Sequence, residues 1–190
     1  MKKYLPILRS SPFFKGLKDN EILSILHCVN ATVISKERDS YIFRAGDSTD
    51  VIVYASVHHG NTEKIVKSIA EECKVDLIDA VKHSDADLSS YDMIGFASGI
   101  YFSKFHQSIL KFAEKNLPDD KKVFLICTYG GSANYKSIEQ ILDKKHASVD
   151  GKFGCKGYDT FGPFKLVGGI AKGHPDDKDI QNAVEFVKNL

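Results

Sequence analysis

One stretch, residues 51–62, restricts the fold more than any other part of the chain. It reads VIVYASVHHGNT, a short apolar run followed by small and polar residues, and a helical pattern begins directly after it. This order predicts a strand, a tight loop and a helix. Because the amides of a first helical turn have no intrahelical partners, such a loop is suited to binding an anion. The alternative is an ordinary turn in which Asn61 or Thr62 caps the helix.

From residue 51 onward, short apolar runs alternate with amphipathic segments. The runs predict strands at 51–55, 75–79, 93–97, 123–127 and 151–156. The amphipathic segments predict helices at 61–73, 106–116, 135–146 and 176–189, and the polar stretch 82–90 has room for one helical turn. Such alternation predicts an α/β domain with a doubly wound parallel sheet of five strands and right-handed crossovers.

Composition and spacing exclude several classes of function. The formal net charge of +1 indicates neither a nucleic-acid nor a membrane partner. We find no signal peptide and no apolar run long enough to span a bilayer, so we expect a soluble, cytoplasmic protein. The four cysteines have no C-x-x-C spacing, and no other spacing is typical of metal ligands. We therefore expect unreactive free thiols and no metal site.

The stretch at residues 51–62 resembles the phosphate loop of the flavodoxin family. Tyr54, Ser56 and the G-N-T of residues 60–62 match that family. His58 and His59 differ from it, because short-chain flavodoxins usually have hydroxyl residues there, and the loop is one residue longer. The resemblance covers residues 51–190. It implies a flavodoxin-like fold with strand order 2-1-3-4-5 and non-covalent binding of FMN.

By this resemblance, the loops after the first, third and fourth strands converge on the cofactor at the carboxyl edge of the sheet. The first loop would hold the phosphate, and the other two would hold the flat isoalloxazine ring. The expected cofactor-binding residues are Ser56, His58, His59, Gly60, Asn61, Thr62, Ser98, Gly99, Ile100, Tyr101, Phe102, Thr128, Tyr129, Gly130 and Gly131. None of these residues is expected to act as a catalytic acid, base or nucleophile.

Aromatic residues in these loops are candidates for stacking on the ring, since the chain contains no tryptophan. Tyr101 and Tyr129 are the favoured flanking groups, ahead of Phe102, and the alternative is that they are core or hinge residues. The family also implies a mobile glycine peptide after the third strand, at Gly99. Its carbonyl would turn toward the flavin when the ring is reduced.

Residues 157–174 form a long segment rich in glycine and aromatic residues. A loop of this length within a compact domain is usually functional or disordered, and this one is too apolar for a disordered linker. We expect an ordered flap that shields the cofactor or shapes a substrate or partner surface. The alternative is a surface loop packed on the edge of the sheet.

Residues 1–50 have a different pattern from the rest of the chain. It predicts a short helix capped by Asp19 and strands at 31–34 and 40–44. The strings SPFFKGL and YIFRAGD resemble the beginning of the cyclic-nucleotide-binding domain of Crp/Fnr regulators. The phosphate-binding cassette of those domains is absent, so we expect no cyclic-nucleotide binding. We expect an appendage that packs on the second domain or on a second subunit, which allows a homodimer.

Three functions remain open from the sequence. The first is electron transfer by FMN between redox partner proteins, such as ferredoxin-linked or flavoprotein reductases. The second is an NAD(P)H-dependent flavin or quinone reductase, and the third is a flavin-binding interaction or sensor module. No arginine follows Arg44, so a phosphate clamp for a nicotinamide dinucleotide is not apparent, which favours the first function.

Overall fold

The computed structural model describes residues 4–28 and 49–190 and divides the chain into two compact units, residues 1–47 and 48–190. In the first unit, helix α1 (Leu5–Ser10) is followed by a 3-10 turn (Pro12–Phe14) and helix α2 (Asp19–Cys28). The Arg9 guanidinium donates to the Asp19 carboxylate at 2.6 Å. The strands predicted at 31–34 and 40–44 lie outside the described residues.

The second unit consists of a central sheet with helices on both faces. Its strands are β1 (Asp50–Ala55), β2 (Asp76–Asp79), β3 (Met93–Tyr101), β4 (Lys104–Phe105), β5 (Lys122–Tyr129) and β6 (Ser148–Lys156). Its helices are α3 (Asn61–Cys73), α4 (Gln107–Asn116), α5 (Lys136–Lys144) and α6 (Asp177–Lys188). Among the described residues, no helix combines the length and apolar character needed to cross a bilayer.

The sheet has the order β2-β1-β3-β5-β6, and all of these neighbours are parallel. The two-residue strand β4 pairs antiparallel with the end of β3. Without β4, the order is the predicted 2-1-3-4-5, so the doubly wound fold class is confirmed. Ala55 pairs with Ser98, and Gly99 pairs with Thr128. The ends of β1, β3 and β5 therefore meet at one place, the carboxyl edge of the sheet.

Alternating side chains of the strands supply two cores, one on each face of the sheet. On β1, Val51, Val53 and Ala55 belong to one core, whereas Ile52 and Tyr54 belong to the other. The first core is covered by α4 and α5, and the second by α3 and α6. Because both faces are buried, β1 is a continuous apolar run, as expected for a central strand of a parallel sheet.

The end of β3 differs from the predicted pattern. The strand continues to Tyr101 rather than ending at residue 97, and it returns as β4 through a two-residue turn at Phe102 and Ser103. Both turn residues have positive φ, 48° and 62°. Tight hairpin turns of this kind usually contain Asn or Gly, and neither residue is present here, so the sequence has no hairpin signal. The helical turn predicted within residues 82–90 does not form.

Candidate functional site

A cavity of about 550 Å³ opens at the carboxyl edge of the sheet. The segments that follow β1, β3, β5 and β6 line it. Every residue expected to bind the cofactor lines this cavity except Ser56, Gly60 and Ser98. The topology therefore brings together loops that are far apart in the sequence.

The segment of residues 56–62, here called the anion loop, leads from β1 into α3. Its chain passes through two successive left-handed residues, His59 (φ 56°) and Gly60 (φ 68°), before α3 begins at Asn61. No side chain among the described residues caps this helix. The Asn61 amide instead donates to the Tyr158 carbonyl at 2.8 Å, and the Thr62 hydroxyl lies 2.9 Å from that of Thr128. The predicted alternative in which Asn61 or Thr62 caps the helix is therefore wrong, because Gly60 is the N-cap.

Ser56 stands at the beginning of the anion loop, and its hydroxyl is buried. This oxygen has no hydrogen-bond partner among the described residues. An unpartnered buried polar group costs roughly 1–3 kcal/mol. A ligand oxygen bound on the loop would remove that cost, so the Ser56 hydroxyl suits an anionic ligand although its residue does not line the cavity.

Tyr101 lies between the anion loop and the start of α4. Its ring centroid is 5.7 Å from that of His58 and 5.3 Å from that of His106. Burial raises the pKa of the Tyr101 hydroxyl, and hydrogen bonds from the backbone of Val57 and His58 oppose that rise. The Tyr101 hydroxyl therefore stays protonated near neutral pH and reaches the backbone of the anion loop. The sequence predicts the ring as a flanking group but not this contact.

Ser98 has a structural role in this arrangement. Its hydroxyl donates to the Gly99 carbonyl at 2.7 Å and accepts from the His106 backbone amide at 2.8 Å. Both contacts are internal to the protein, and Ser98 is fully buried. Ser98 therefore ties the end of β3 to the beginning of α4, and its side chain is not free to contact a ligand.

Three glycines determine how closely the backbone can approach a flat ligand. A Cβ atom at Gly99 would lie 2.8 Å from the Tyr101 hydroxyl, and one at Gly130 would collide with the Asp159 side chain. At Gly131 a Cβ atom would meet nothing within 4 Å. Larger residues at positions 99 and 130 would thus displace side chains that line the cavity.

The flap, residues 157–174, is an ordered loop that lines one side of the cavity. The Tyr158 amide donates to the His174 carbonyl at 3.0 Å, and Asp159 forms a short antiparallel bridge with Ile170. A 3-10 helix, Gly162–Val167, lies between these contacts. Two further contacts join the flap to His59, whose Nε2 is 2.9 Å from the Thr160 hydroxyl and whose ring is 4.6 Å from that of Tyr158.

The sequence does not identify most of the flap residues that line the cavity. These residues are Gly157, Tyr158, Asp159, Thr160, Phe161, Gly162 and Lys165, and Ser103 and Ser132 also line it. The length and aromatic content of the segment indicate a functional loop. They do not indicate which side chains face the cavity, because the backbone of the flap follows no regular period.

A cluster of possible metal ligands lies at the end of the flap. Ligand atoms of His174, Asp176 and Asp179 fall within 4.8 Å of one another. Asp176 and Asp179 form a reciprocal capping box at the start of α6, and Asp179 is also 2.6 Å from His174. The cluster is therefore explained by the cap of α6.

Buried thiols take no part in the site. Cys127 and Cys155 are buried, and burial raises the pKa of their thiols to about 11 and about 12. Cys73 is partly buried, and its thiol pKa is also raised by burial. The reactive thiolate form is thus scarce in these three residues at neutral pH.

Comparison with known proteins identifies relatives of the second unit. Residues 51–159 match the family model described as a flavodoxin domain. An uncharacterized protein of Methanocaldococcus jannaschii is 45% identical over 144 residues, which are 74% of this chain and 96% of that protein. The family match begins at residue 51 and gives no support to the resemblance between residues 1–50 and the Crp/Fnr regulators.

Solved structures support the same fold. Rubredoxin:oxygen oxidoreductase of Desulfovibrio gigas superposes with a TM-score of 0.56 at 14% identity, over 74% of this chain and 35% of that one. The flavodiiron core from Synechocystis gives 0.55 at 16% identity, over 76% of this chain and 36% of that one. At such identities the likeness concerns the fold alone. The match over residues 51–159 and the archaeal relative show that the chain belongs to the flavodoxin domain family.

Proposed function

We propose that the protein binds one FMN non-covalently and transfers electrons between redox proteins. The observation that supports this most strongly is the anion loop, where uncapped amides of α3 and the unpartnered Ser56 hydroxyl adjoin a slot lined by glycines. These groups are complementary to a phosphate joined to a flat ring. FMN contains both, and the family to which the chain belongs agrees with this choice.

The phosphate end of the site consists of backbone amides and hydroxyl groups. The first-turn amides of α3 and the positive end of the helix dipole would face the phosphate charge. Ser56 would donate its free hydroxyl. The Tyr101 hydroxyl reaches the same backbone and would supply a further hydrogen bond. His58 and His59 line the cavity beside these groups.

The ring end of the site lies between the end of β3 and the segment after β5. Gly99, Ile100, Gly130 and Gly131 line it, so backbone groups can approach the polar edge of a flat ring. Tyr129 also lines the slot, although its ring packs toward Gly154 and the core. When bound, the flavin supplies one- and two-electron redox chemistry, and the chain positions the ring and limits its exposure to water.

FMN suits the site better than FAD because a dinucleotide needs further phosphate contacts. The described residues contain one loop of the anion-binding type at the cavity, and Lys165 is the only lysine or arginine among the residues that line it. Like FAD, a nicotinamide dinucleotide would need a second anion-binding loop or an arginine cluster to hold its further phosphate groups. No arginine occurs after residue 44. These facts favour an electron carrier over a self-sufficient reductase.

A second candidate is an NAD(P)H-dependent FMN enzyme that reduces flavins or quinones. The flap favours this candidate, because Tyr158 and Phe161 add an aromatic wall that faces the cavity beside Phe102. A flat substrate could bind against such a wall. The same wall also serves an electron carrier by shielding the flavin.

Anaerobic mixing of the flavin-loaded protein with NADH or NADPH distinguishes the two candidates. For a carrier, the flavin absorbance should bleach slowly with either nucleotide and quickly after a separate flavoprotein reductase is added. Rapid, saturable bleaching by NADH or NADPH alone, with turnover on a quinone, would establish the second candidate. Analysis of the cofactor released by denaturation should show FMN, and recovery of FAD would contradict the proposal.

A further inference from the structure

Exposed apolar side chains are concentrated in one region of the second unit. Within residues 49–190, the four most exposed large apolar side chains are Leu166, Phe102, Val167 and Phe161, at 90%, 81%, 71% and 58% exposure. Phe102 lies in the turn between β3 and β4, and the other three lie in the flap. Clustered apolar side chains at a surface mark an interaction site more often than scattered ones do.

These four side chains, here called the apolar crest, belong to two adjoining segments. The rings of Phe102 and Phe161 meet edge to face with centroids 4.9 Å apart. Leu166 and Val167 end the 3-10 helix that begins directly after Phe161. Phe102 and Phe161 also line the cavity, so this part of the crest adjoins the proposed flavin site.

Positive charge accompanies the crest. Residues 98–106 and 157–174, which carry the crest, contain three exposed lysines, Lys104, Lys165 and Lys172. None of them forms an ion pair with another residue in the described ranges. The only carboxylate in the same segments is Asp159, which accepts a hydrogen bond from the Phe161 amide. The crest is thus an apolar surface with a basic rim.

We propose that the apolar crest and its three lysines form the docking surface for a small acidic protein that carries one electron. The proposal rests on the proposed electron-transfer function and specifies the chemistry of the partner. Lysines at the rim would attract the acidic partner and orient it, while the apolar centre would exclude water between the two redox groups. One electron would leave the reduced carrier and enter the flavin, or pass in the opposite direction.

A membrane surface is a weaker fit to the same features. Polybasic segments that bind anionic lipids usually contain four to eight clustered basic residues, each worth about 1 kcal/mol. The crest segments contain three lysines, of which only Lys165 lines the cavity, and the three are divided between a hairpin and an irregular loop rather than lying along one long amphipathic helix. These observations favour a protein partner.

The first test is kinetic and uses the FMN-loaded full chain. A reduced [2Fe–2S] ferredoxin of net negative charge is mixed with the oxidised protein at several salt concentrations. The second-order rate should fall by about tenfold between low and high ionic strength, because attraction between opposite charges is screened by salt. Ferricytochrome c, which is positively charged, should show the opposite trend as an acceptor from the reduced protein. A ferredoxin rate that rises with salt would overturn the proposal.

Charge-reversal variants localise the effect. Lys104→Glu and Lys172→Glu alter the rim without altering residues that line the cavity. Each should slow electron transfer from ferredoxin by about threefold or more at low salt, and the loss should vanish at high salt. Lys144→Glu, at the end of α5 on the opposite edge of the sheet, is the matched control and should change the rate less than twofold. Equal effects for all three variants would contradict the proposal.

The second test does not depend on the cofactor. A carbodiimide that joins lysine amines to carboxylates should cross-link ferredoxin to Lys104, Lys165 or Lys172, and Leu166→Ser should reduce the yield at least twofold. Leu166 is exposed, so this change should not affect folding. Cross-links spread evenly over the lysines would overturn the docking proposal even if FMN binding is confirmed. Co-sedimentation with phosphatidylserine vesicles, lost in Leu166→Ser, would also overturn it in favour of a membrane.

Discussion

The Nε2 atom of His59 lies 2.9 Å from the Thr160 hydroxyl, although the two residues are 101 positions apart in the sequence. The His59 ring also contacts that of Tyr158, with centroids 4.6 Å apart. Asn61 adds a hydrogen bond to the Tyr158 carbonyl. Because of these contacts, the anion loop and the flap form one continuous wall of the cavity, and the flap would also cover a ligand bound at the loop.

This contact predicts that the flap slows the release of FMN. Thr160→Val removes the hydroxyl while keeping the shape of the side chain, and the lost hydrogen bond is worth about 0.5–1.5 kcal/mol. The rate of FMN release should therefore rise by about two- to tenfold. It can be measured from the recovery of FMN fluorescence after a large dilution, which prevents the released FMN from rebinding.

A double-mutant cycle provides the control for this prediction. His59→Asn removes the ring, and Asn tolerates the left-handed backbone at this position (φ 56°). If the two side chains act through their mutual contact, the double variant should release FMN no faster than the faster single variant. Multiplicative effects of the two changes would show that they act independently.

The crowding around Gly99 predicts a difference between two glycine variants. An alanine Cβ at Gly99 would lie 2.8 Å from the Tyr101 hydroxyl, so Tyr101 must move. Such overpacking costs about 1–3 kcal/mol. Gly131→Ala is the matched control, because its Cβ would meet nothing within 4 Å. In chemical denaturation of the flavin-free protein, Gly99→Ala should unfold at lower denaturant concentration, and Gly131→Ala should not; equal midpoints would refute the crowding.

The buried thiols predict a loss of stability at alkaline pH. Burial raises the pKa of Cys127 to about 11, so the folded state keeps a proton that the unfolded state loses near pH 9. The stabilisation is complete below about pH 9 and is lost as the pH rises through 11, at about 1.4 kcal/mol per pH unit. Cys127→Ala should reduce the slope of unfolding free energy against pH in this range. An unchanged slope would show that Cys127 does not contribute.

The fold could be predicted from the sequence where local pattern and tertiary context agree. β1 and α3 begin and end close to their predicted positions, because a buried apolar run meets a glycine-containing loop and a periodic helix. The hairpin between β3 and β4 could not be predicted. Its turn places Phe102 and Ser103 in a conformation that their residue types disfavour, so only the tertiary structure accounts for it.

The candidate site was predictable to the extent that topology determines it. The convergence of the loops after β1, β3 and β5 follows from the strand order. The internal hydrogen bonds of Ser98 and the contact of Tyr101 with the anion loop depend on side-chain geometry. The periodicity of apolar residues in the sequence predicts strands and helices but not such contacts. The same holds for Tyr158 and Thr160, which come from an irregular loop.

The most direct test of the central claim compares the binding of FMN and riboflavin to the flavin-free protein. The two ligands share the ring and differ by the phosphate that the anion loop would hold. Hydrogen bonds to a charged group are worth about 1.5–3 kcal/mol each, so two of them correspond to about 100-fold or more in affinity. Titration followed by quenching of flavin fluorescence should show FMN binding at least about 100-fold more tightly than riboflavin. Equal affinities, or no quenching by FMN at micromolar concentration, would contradict a phosphate site on the anion loop.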